Sequence, residues 1–209
     1  MKECVMIGSV LRMPSVRVYM VRTAFSATFA FAAMLLPGLV SECAAQSSIN
    51  LNVPAYNQSN PSWGKQLLGN STTLTLASKG CAVTCYAMLA SYDNRMTFTP
   101  DAANRLLRAR RGFDSQAGLD FSVGASLLGK RLERRNFRTY QEARNVLYAY
   151  LRYGRPVITE VRRNGGQHFV IVTGYDPLIH DFRAIDPAGG RLIWLGSTYG
   201  RPVGIRGIY

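Results

Sequence analysis

Ser78 to Tyr92, SKGCAVTCYAMLASY, carries no charge between Lys79 and Asp93, in a chain that contains 25 Lys and Arg. From about Cys81 onward its residues favour helix: Ala, Met and Leu, with no Pro and no internal Gly. An uncharged helix that is apolar nearly all round must lie inside the domain. Whatever this chain folds into is therefore built around that helix. The helix opens on a cysteine that follows Gly80 directly. A helix N-terminus offers unpaired N–H groups and a partial positive charge, and both favour a thiolate, the nucleophilic form of cysteine. Cys81 is thus a candidate nucleophile. Free cysteines are also among the most buried residues, so the case for chemistry has to come from the rest of the chain.

With 209 residues and 47% hydrophobic composition, the chain is long enough for one domain with a real core. The net charge of +13 suits an anionic partner. There is no C-x-x-C pair, no zinc-type Cys/His spacing, no Gly-rich phosphate loop and no internal repeat. No metal and no cofactor are therefore predicted. Basic and aromatic residues do not interleave as in single-strand binders, which argues against a nucleic-acid enzyme.

Residues 1–45 read as a targeting segment. Lys2, Arg12, Arg17 and Arg22 precede an apolar run from Ala24 to Val40, and Cys43-Ala44-Ala45 offers small residues for cleavage before Gln46. The run is interrupted by Pro37-Gly38 and is short for a membrane span. Glu42 before Cys43 does not suit a lipoprotein. Met20 would make a more compact start. Export with cleavage near Ala45 is the expectation, with a periplasmic or secreted domain over residues 46–209 and membrane contact only through the export signal. Cleavage removes four basic and two acidic residues and leaves a charge of +11. Only Cys81 and Cys85 then remain. Four residues apart on one helix, they are poorly placed for a disulfide, so two thiols stay unpaired in a compartment that tends to oxidise them.

Ile49 to Val53 alternates as a short strand would, and Pro54 to Lys79 reads as a long loop carrying Gln58, Trp63 and Gln66. Thr99-Pro100-Asp101 starts a helix that runs to about Arg110, with Ala102, Ala103, Leu106 and Leu107 on one side. A short helix follows from Ser122. Thr139 and Glu142 have capping-box spacing and open a helix to about Tyr153, where Gly154 stops it. Val146, Leu147, Tyr150 and Leu151 mark its buried face. Then come four strands, 156–161, 169–173, 182–185 and 191–195, separated by NGG, YDP and DPAGG turns. Helices followed by an antiparallel sheet make an α+β fold, with these four strands as sequential neighbours.

His168 begins the most apolar of the strands; His180 lies in a polar turn. Beside a cysteine at a helix N-terminus, His168 becomes a base that can hold a thiolate as an ion pair. If strands 169–173 and 182–185 pair antiparallel, their outer ends meet and Asp186 comes near His168, where a carboxylate would orient the ring. Asp176, also ahead of a proline, falls at the opposite end of the hairpin. An oxyanion would need donors: the Cys81 N–H, and a side-chain amide from Gln58 or Gln66.

Taken in order, SKGCAVTCYAML, GRPVI, GGQHFVIVTGYD and AIDPAGG resemble the double-glycine-leader peptidase-like group of papain-like cysteine peptidases. VPAYNQ with Trp63-Gly64, and the stretch from Thr99 to Asn104, are similar to that group as well. The resemblance spans about residues 53–190. It implies a papain-like fold, with N-terminal helices packed on a C-terminal antiparallel sheet. It implies Cys81 as nucleophile, His168 as base, Asp186 as orienting residue and Gln58, rather than Gln66, as oxyanion donor. Two departures stand out: Cys85 replaces a small residue, and Ala82-Val83 replaces Gly-Pro. The expected activity is an exported thiol hydrolase acting on an amide bond, read as a peptidase. Its partner would be a peptide or protein substrate, or an acidic cell-wall or surface polymer. A cell-wall amidase or acyl transferase with the same residues is one alternative. A catalytically idle module of the same fold that binds an anionic polymer is the other. Oligomeric state is left open.

Overall fold

The computed structural model describes residues 46–209. The targeting segment expected over 1–45 lies outside the described residues. The elements are β1 (Ile49–Asn50), α1 (Leu76–Lys79), α2 (Cys81–Asn94), α3 (Pro100–Ala109), α4 (Phe121–Leu127), β2 (Leu132–Asn136), α5 (Tyr140–Arg152), β3 (Val157–Arg163), β4 (Gly166–Asp176), β5 (Asp181–Asp186), β6 (Arg191–Trp194), α6 (Leu195–Tyr199) and β7 (Gly204–Ile208). This is the α+β arrangement expected.

The sheet is antiparallel throughout, in the order β2-β7-β3-β4-β5-β6, with β1 added on β4. The four strands from β3 to β6 are sequential neighbours because each hands over to the next through a tight turn. Asn164 and Gly165 both take the left-handed conformation at the β3–β4 turn, as an Asn-Gly hairpin requires. Two strands were not expected from the sequence. β7 returns to pair with β3, and β2 pairs with β7. The expected Ile49–Val53 strand pairs only over its first two residues.

Alternation along the strands divides the core between two faces of the sheet. Ile158, Phe169, Ile171, Ile185 and Ile208 pack with α2, Leu107 of α3 and Phe121 of α4. Val157, Val161, Val170, Val172, Phe182, Ala184 and Ile205 pack with α5 and with Leu195 of α6. The helices are thus not all on one side of the sheet. Ala143, Leu147 and Leu151 of α5 face the second core, while Val146 and Tyr150 flank them.

In α2, every residue from Val83 to Ser91 is buried, as its uncharged run demanded. In α3, Asn104 joins Ala103 and Leu107 in the buried set, a polar residue where the apolar stripe predicted only Ala and Leu. The 54–79 segment is not a simple loop. It ends in α1, which Thr75 and Ser78 cap reciprocally, and it is pinned by the Leu76 N–H to Gln66 O and Ala77 N–H to Gly64 O bonds, both 2.9 Å.

Candidate active site

Gly80 separates α1 from α2 and takes φ −80° and ψ 10°. A side chain there would strike the Leu76 carbonyl, so the close join between α1 and α2 requires glycine. The break has a chemical consequence. In one continuous helix the Ala77 carbonyl would accept the Cys81 N–H. Here Ala77 O accepts instead from Gln58 Nε2 at 2.8 Å. Cys81 is left as the first residue of α2, where an N–H has no partner within the helix. Its side chain is partly exposed.

His168 lies near the start of β4, beyond the stretch that pairs with β5, which begins at Ile171 opposite Ile185. Asp186 closes β5. The two therefore meet diagonally at one end of the sheet: His168 Nε2 and Asp186 Oδ1 are 2.8 Å apart, with both residues buried. The other ring nitrogen, Nδ1, is left free of Asp186, and the Cys81 thiol is near enough to help raise the His168 pKa. Burial alone would lower the His168 pKa. The hydrogen bond that the ring donates to Asp186, together with its interaction with Cys81, reverses this and raises it from 6.5 to about 9. The ring is thereby kept as an imidazolium at neutral pH.

Asp186 is saturated with donors. Besides His168 it accepts the Ala188 N–H at 2.8 Å and the Tyr199 hydroxyl. Burial would raise its pKa, but these donors bring it down to about 2. Tyr199 was not expected from the sequence. It sits at the end of α6, its ring 5.9 Å from that of His168. Burial and the neighbouring Asp186 carboxylate push its hydroxyl pKa up, so it remains a donor.

Gln58 is also buried. Its backbone N–H donates to Pro187 O at 2.8 Å, which ties the 54–60 segment to the turn after Asp186. Gly190, at φ +66°, allows this approach: a side chain there would press on Asn57 at 3.1 Å. The Ala77 carbonyl fixes which end of the Gln58 amide is nitrogen, because reversing it would oppose two oxygens. One Nε2 hydrogen remains beyond that bond, and Oε1 is buried without a partner. Gln66 is placed elsewhere. Its Oε1 accepts from Asn104 Nδ2 at 2.9 Å. Asn104 also donates to Leu67 O at 2.9 Å and accepts the Gly69 N–H at 2.8 Å, which accounts for a buried asparagine on α3.

Cys85 is wholly buried one turn below Cys81. Burial first, then the charges of Cys81 and Asp186, raise its pKa well above the usual thiol range, so it stays a thiol. Its neighbour on the surface is not a disulfide partner: both cysteines are free. His180 faces Arg144 and Tyr175 at the far end of the β4–β5 hairpin, where Asp176 stands opposite Asp181 in the register. Among the described residues no three His, Cys, Asp or Glu side chains gather as a metal site would need.

A cleft of about 490 Å³ opens beside Cys81. Val83, Phe121 and Phe169 line its apolar part, and Lys79, Arg134 and Arg206 bring positive charge to it. A cysteine at a helix N-terminus near an imidazolium, a buried carboxylate bonded to that ring and an amide on the Ala77 carbonyl can perform nucleophilic attack on a carbonyl.

The family model described as Peptidase_C39 like family matches residues 50–195. The match takes in Gln58, Cys81, His168 and Asp186 and stops short of Tyr199. No curated protein matches the chain.

Proposed function

Because the chain belongs to the Peptidase_C39 like family, we propose that it is an exported cysteine hydrolase that cleaves a peptide bond, with Cys81 as nucleophile. The Cys81 thiolate attacks the carbonyl carbon of the scissile amide. The oxyanion that forms takes hydrogen bonds from the Cys81 N–H and the second Nε2 hydrogen of Gln58. The carbon–nitrogen bond then breaks as His168 Nδ1 gives its proton to the leaving amine, which departs and leaves a thioester on Cys81. Water attacks the thioester, His168 takes a proton from it, and the acid is released as the thiolate–imidazolium pair returns. Asp186 holds the ring through Nε2 throughout and does not itself transfer a proton.

The observation that supports this reading is the buried His168–Asp186 pair at 2.8 Å, with Cys81 at the start of α2 near enough to act on the His168 ring. Its test is the rate of iodoacetamide labelling against pH, with mass spectrometry to locate the label. Cys81 should react quickly well below the reference thiol pKa of about 8.5, and His168→Ala should abolish the fast phase. Cys81→Ala should remove cleavage of a peptide library and leave the melting temperature within a few degrees of wild type. A Cys81 that labels no faster than an ordinary thiol would favour an idle module and send the search to binding partners. The export claim rests on residues 1–45 and is tested by N-terminal sequencing of the secreted protein, which should begin near Gln46.

A further inference from the structure

The cleft beside Cys81 has a cationic wall for which the cleavage chemistry has no use. Arg134 of β2 and Arg206 of β7 stand directly opposite each other in the antiparallel register. Like charges in that relation weaken a sheet. The neighbours of Arg134 on β2 are compensated on the α5 side: Glu133 accepts from the Tyr150 hydroxyl at 2.6 Å, and Arg135 lies 3.5 Å from Glu142. Arg134 turns to the other face, meets Arg206, and has no ion-pair partner among the described residues.

Arg206 is held in place. Its Nη2 donates to Glu160 at 2.6 Å, and its guanidinium lies 5.6 Å from the centre of the Phe169 ring, on the cleft. Glu160 thus neutralises one of two guanidiniums. Lys79, just ahead of Gly80 and Cys81, adds a further cation without an ion-pair partner among the described residues. The one carboxylate that lines the cleft, Asp114, is bound into its own loop, its Oδ1 accepting from the N–H groups of Gln116 and Gly118.

We infer that this cleft binds a carboxylate of the substrate, close to the amide that Cys81 attacks, with Arg134 as its main partner and Lys79 as a second. The inference rests on the hydrolase reading and names the substrate class: an acidic peptide. A guanidinium meets a carboxylate with two parallel hydrogen bonds, and the carboxylate would relieve the Arg134–Arg206 repulsion. The apolar floor made by Phe121 and Phe169 would cover the aliphatic part of the same residue. Either an Asp or Glu side chain or the carboxylate at a peptide's end would supply the group.

Four alkylating probes separate these possibilities: iodoacetyl-aspartic acid α-amide, iodoacetyl-asparagine amide, iodoacetyl-glycine as free acid, and iodoacetyl-glycinamide. The measurement is the second-order rate of Cys81 labelling in the full-length protein, Arg134→Ala and Lys79→Ala, at low and high salt. One carboxylate probe should outpace its amide twin by about tenfold at low salt, as expected for a charge-assisted hydrogen bond to an exposed guanidinium. A preference for the aspartyl probe assigns a side chain, and a preference for free glycine assigns a chain end. In Arg134→Ala the acid-to-amide ratio should fall to about two or less. Arg134 lies on an edge strand and its loss removes a like-charge contact, so folding should survive; Arg134→Gln repeats the test with the length kept. Equal rates for acid and amide, or a preference unchanged in both Arg134 variants, overturn the inference and leave the hydrolase reading standing. A Cys81 inert to all four probes overturns both.

Discussion

The pairing of His168 with Asp186, beside Cys81, fixes where its proton leaves. Its pKa stands at about 9 against an ordinary 6.5 because the Asp186 and Cys81 interactions outweigh burial. An opposite charge in contact moves a pKa by roughly 1–3, so the Asp186 carboxylate, aided by Cys81 and opposed by burial, accounts for the net rise. Asp186→Asn keeps the shape and the acceptor oxygen but removes the charge. The His168 midpoint should then drop to roughly pH 7–8. At pH 8 the imidazolium fraction would fall from about nine tenths to between one tenth and one half. Cys81→Ala should lower the midpoint in the same direction. The linkage to stability follows the sign of each shift. The raised His168 pKa contributes stability that is complete below 6.5 and is lost as pH rises through about 9. The lowered Asp186 pKa contributes stability present above 3.8 and lost as pH falls through about 2. The assay is imidazole NMR against pH, which is tractable because the whole chain has two histidines, with His180→Gln to assign the signals. A His168 signal that titrates at or below 6.5, or whose midpoint ignores both substitutions, refutes the reasoning.

Gly80→Ala drives a methyl group into the Leu76 carbonyl; spreading α1 from α2 should cost about 1–3 kcal/mol and slow Cys81 alkylation at least about tenfold, a rise of about 1.4 kcal/mol or more in its barrier. If labelling is unchanged, the join at Gly80 does not set the nucleophile. Cys85→Ser buries a hydroxyl under Cys81 and should cost about 1–3 kcal/mol in urea unfolding while Cys81 labelling persists. If it abolishes labelling, the wrong thiol has been assigned. Asn104→Ala strips the partners from Gly69 N, Leu67 O and Gln66 Oε1. With a penalty of about 1–3 kcal/mol for each buried group left unpaired, and water reaching some of them, a loss of about 2–4 kcal/mol is expected. A loss under about 0.5 kcal/mol, the range of ordinary surface changes, would show that Asn104 does not hold the loop.

Several elements were legible because a local rule and the tertiary context agreed. The uncharged run from Cys81 could only be an inner helix. The Asn-Gly turn and the DPAGG turn punctuate strands whose apolar alternation matches both faces of the sheet. β2 and β7 escaped for the opposite reason. LERRN has three charged residues in five, and GIRGI is diluted by glycine, so neither reads as a strand alone. Each becomes one by pairing with the other, and β7 with β3. The side of the sheet taken by α5 was equally hidden, since an amphipathic pattern tells which face of the helix is buried but not against what.

The site shows the same division, and β5 explains it. His168 and Asp186 were readable from hairpin register alone, because pairing across one turn decides which strand ends meet. The choice between Gln58 and Gln66 was not readable from spacing; it depends on Asn104, whose carboxamide holds Gln66 away on α3. Tyr199 was out of reach altogether, since nothing near position 199 points to position 186. The link is made by Asp181, at the start of β5. Its buried carboxylate accepts the N–H groups of Gly196 and Ser197 and the Ser197 hydroxyl, anchoring the first turn of α6. α6 is thereby set at a fixed offset from β5. Tyr199, one turn on, reaches Asp186 at the other end of the same strand. One strand thus carries at its end the carboxylate bonded to His168 and, at its beginning, the carboxylate that positions the hydroxyl donor of Asp186. A loss at Asp181 would loosen α6 first and disturb the His168 ring through Tyr199 and Asp186 after it.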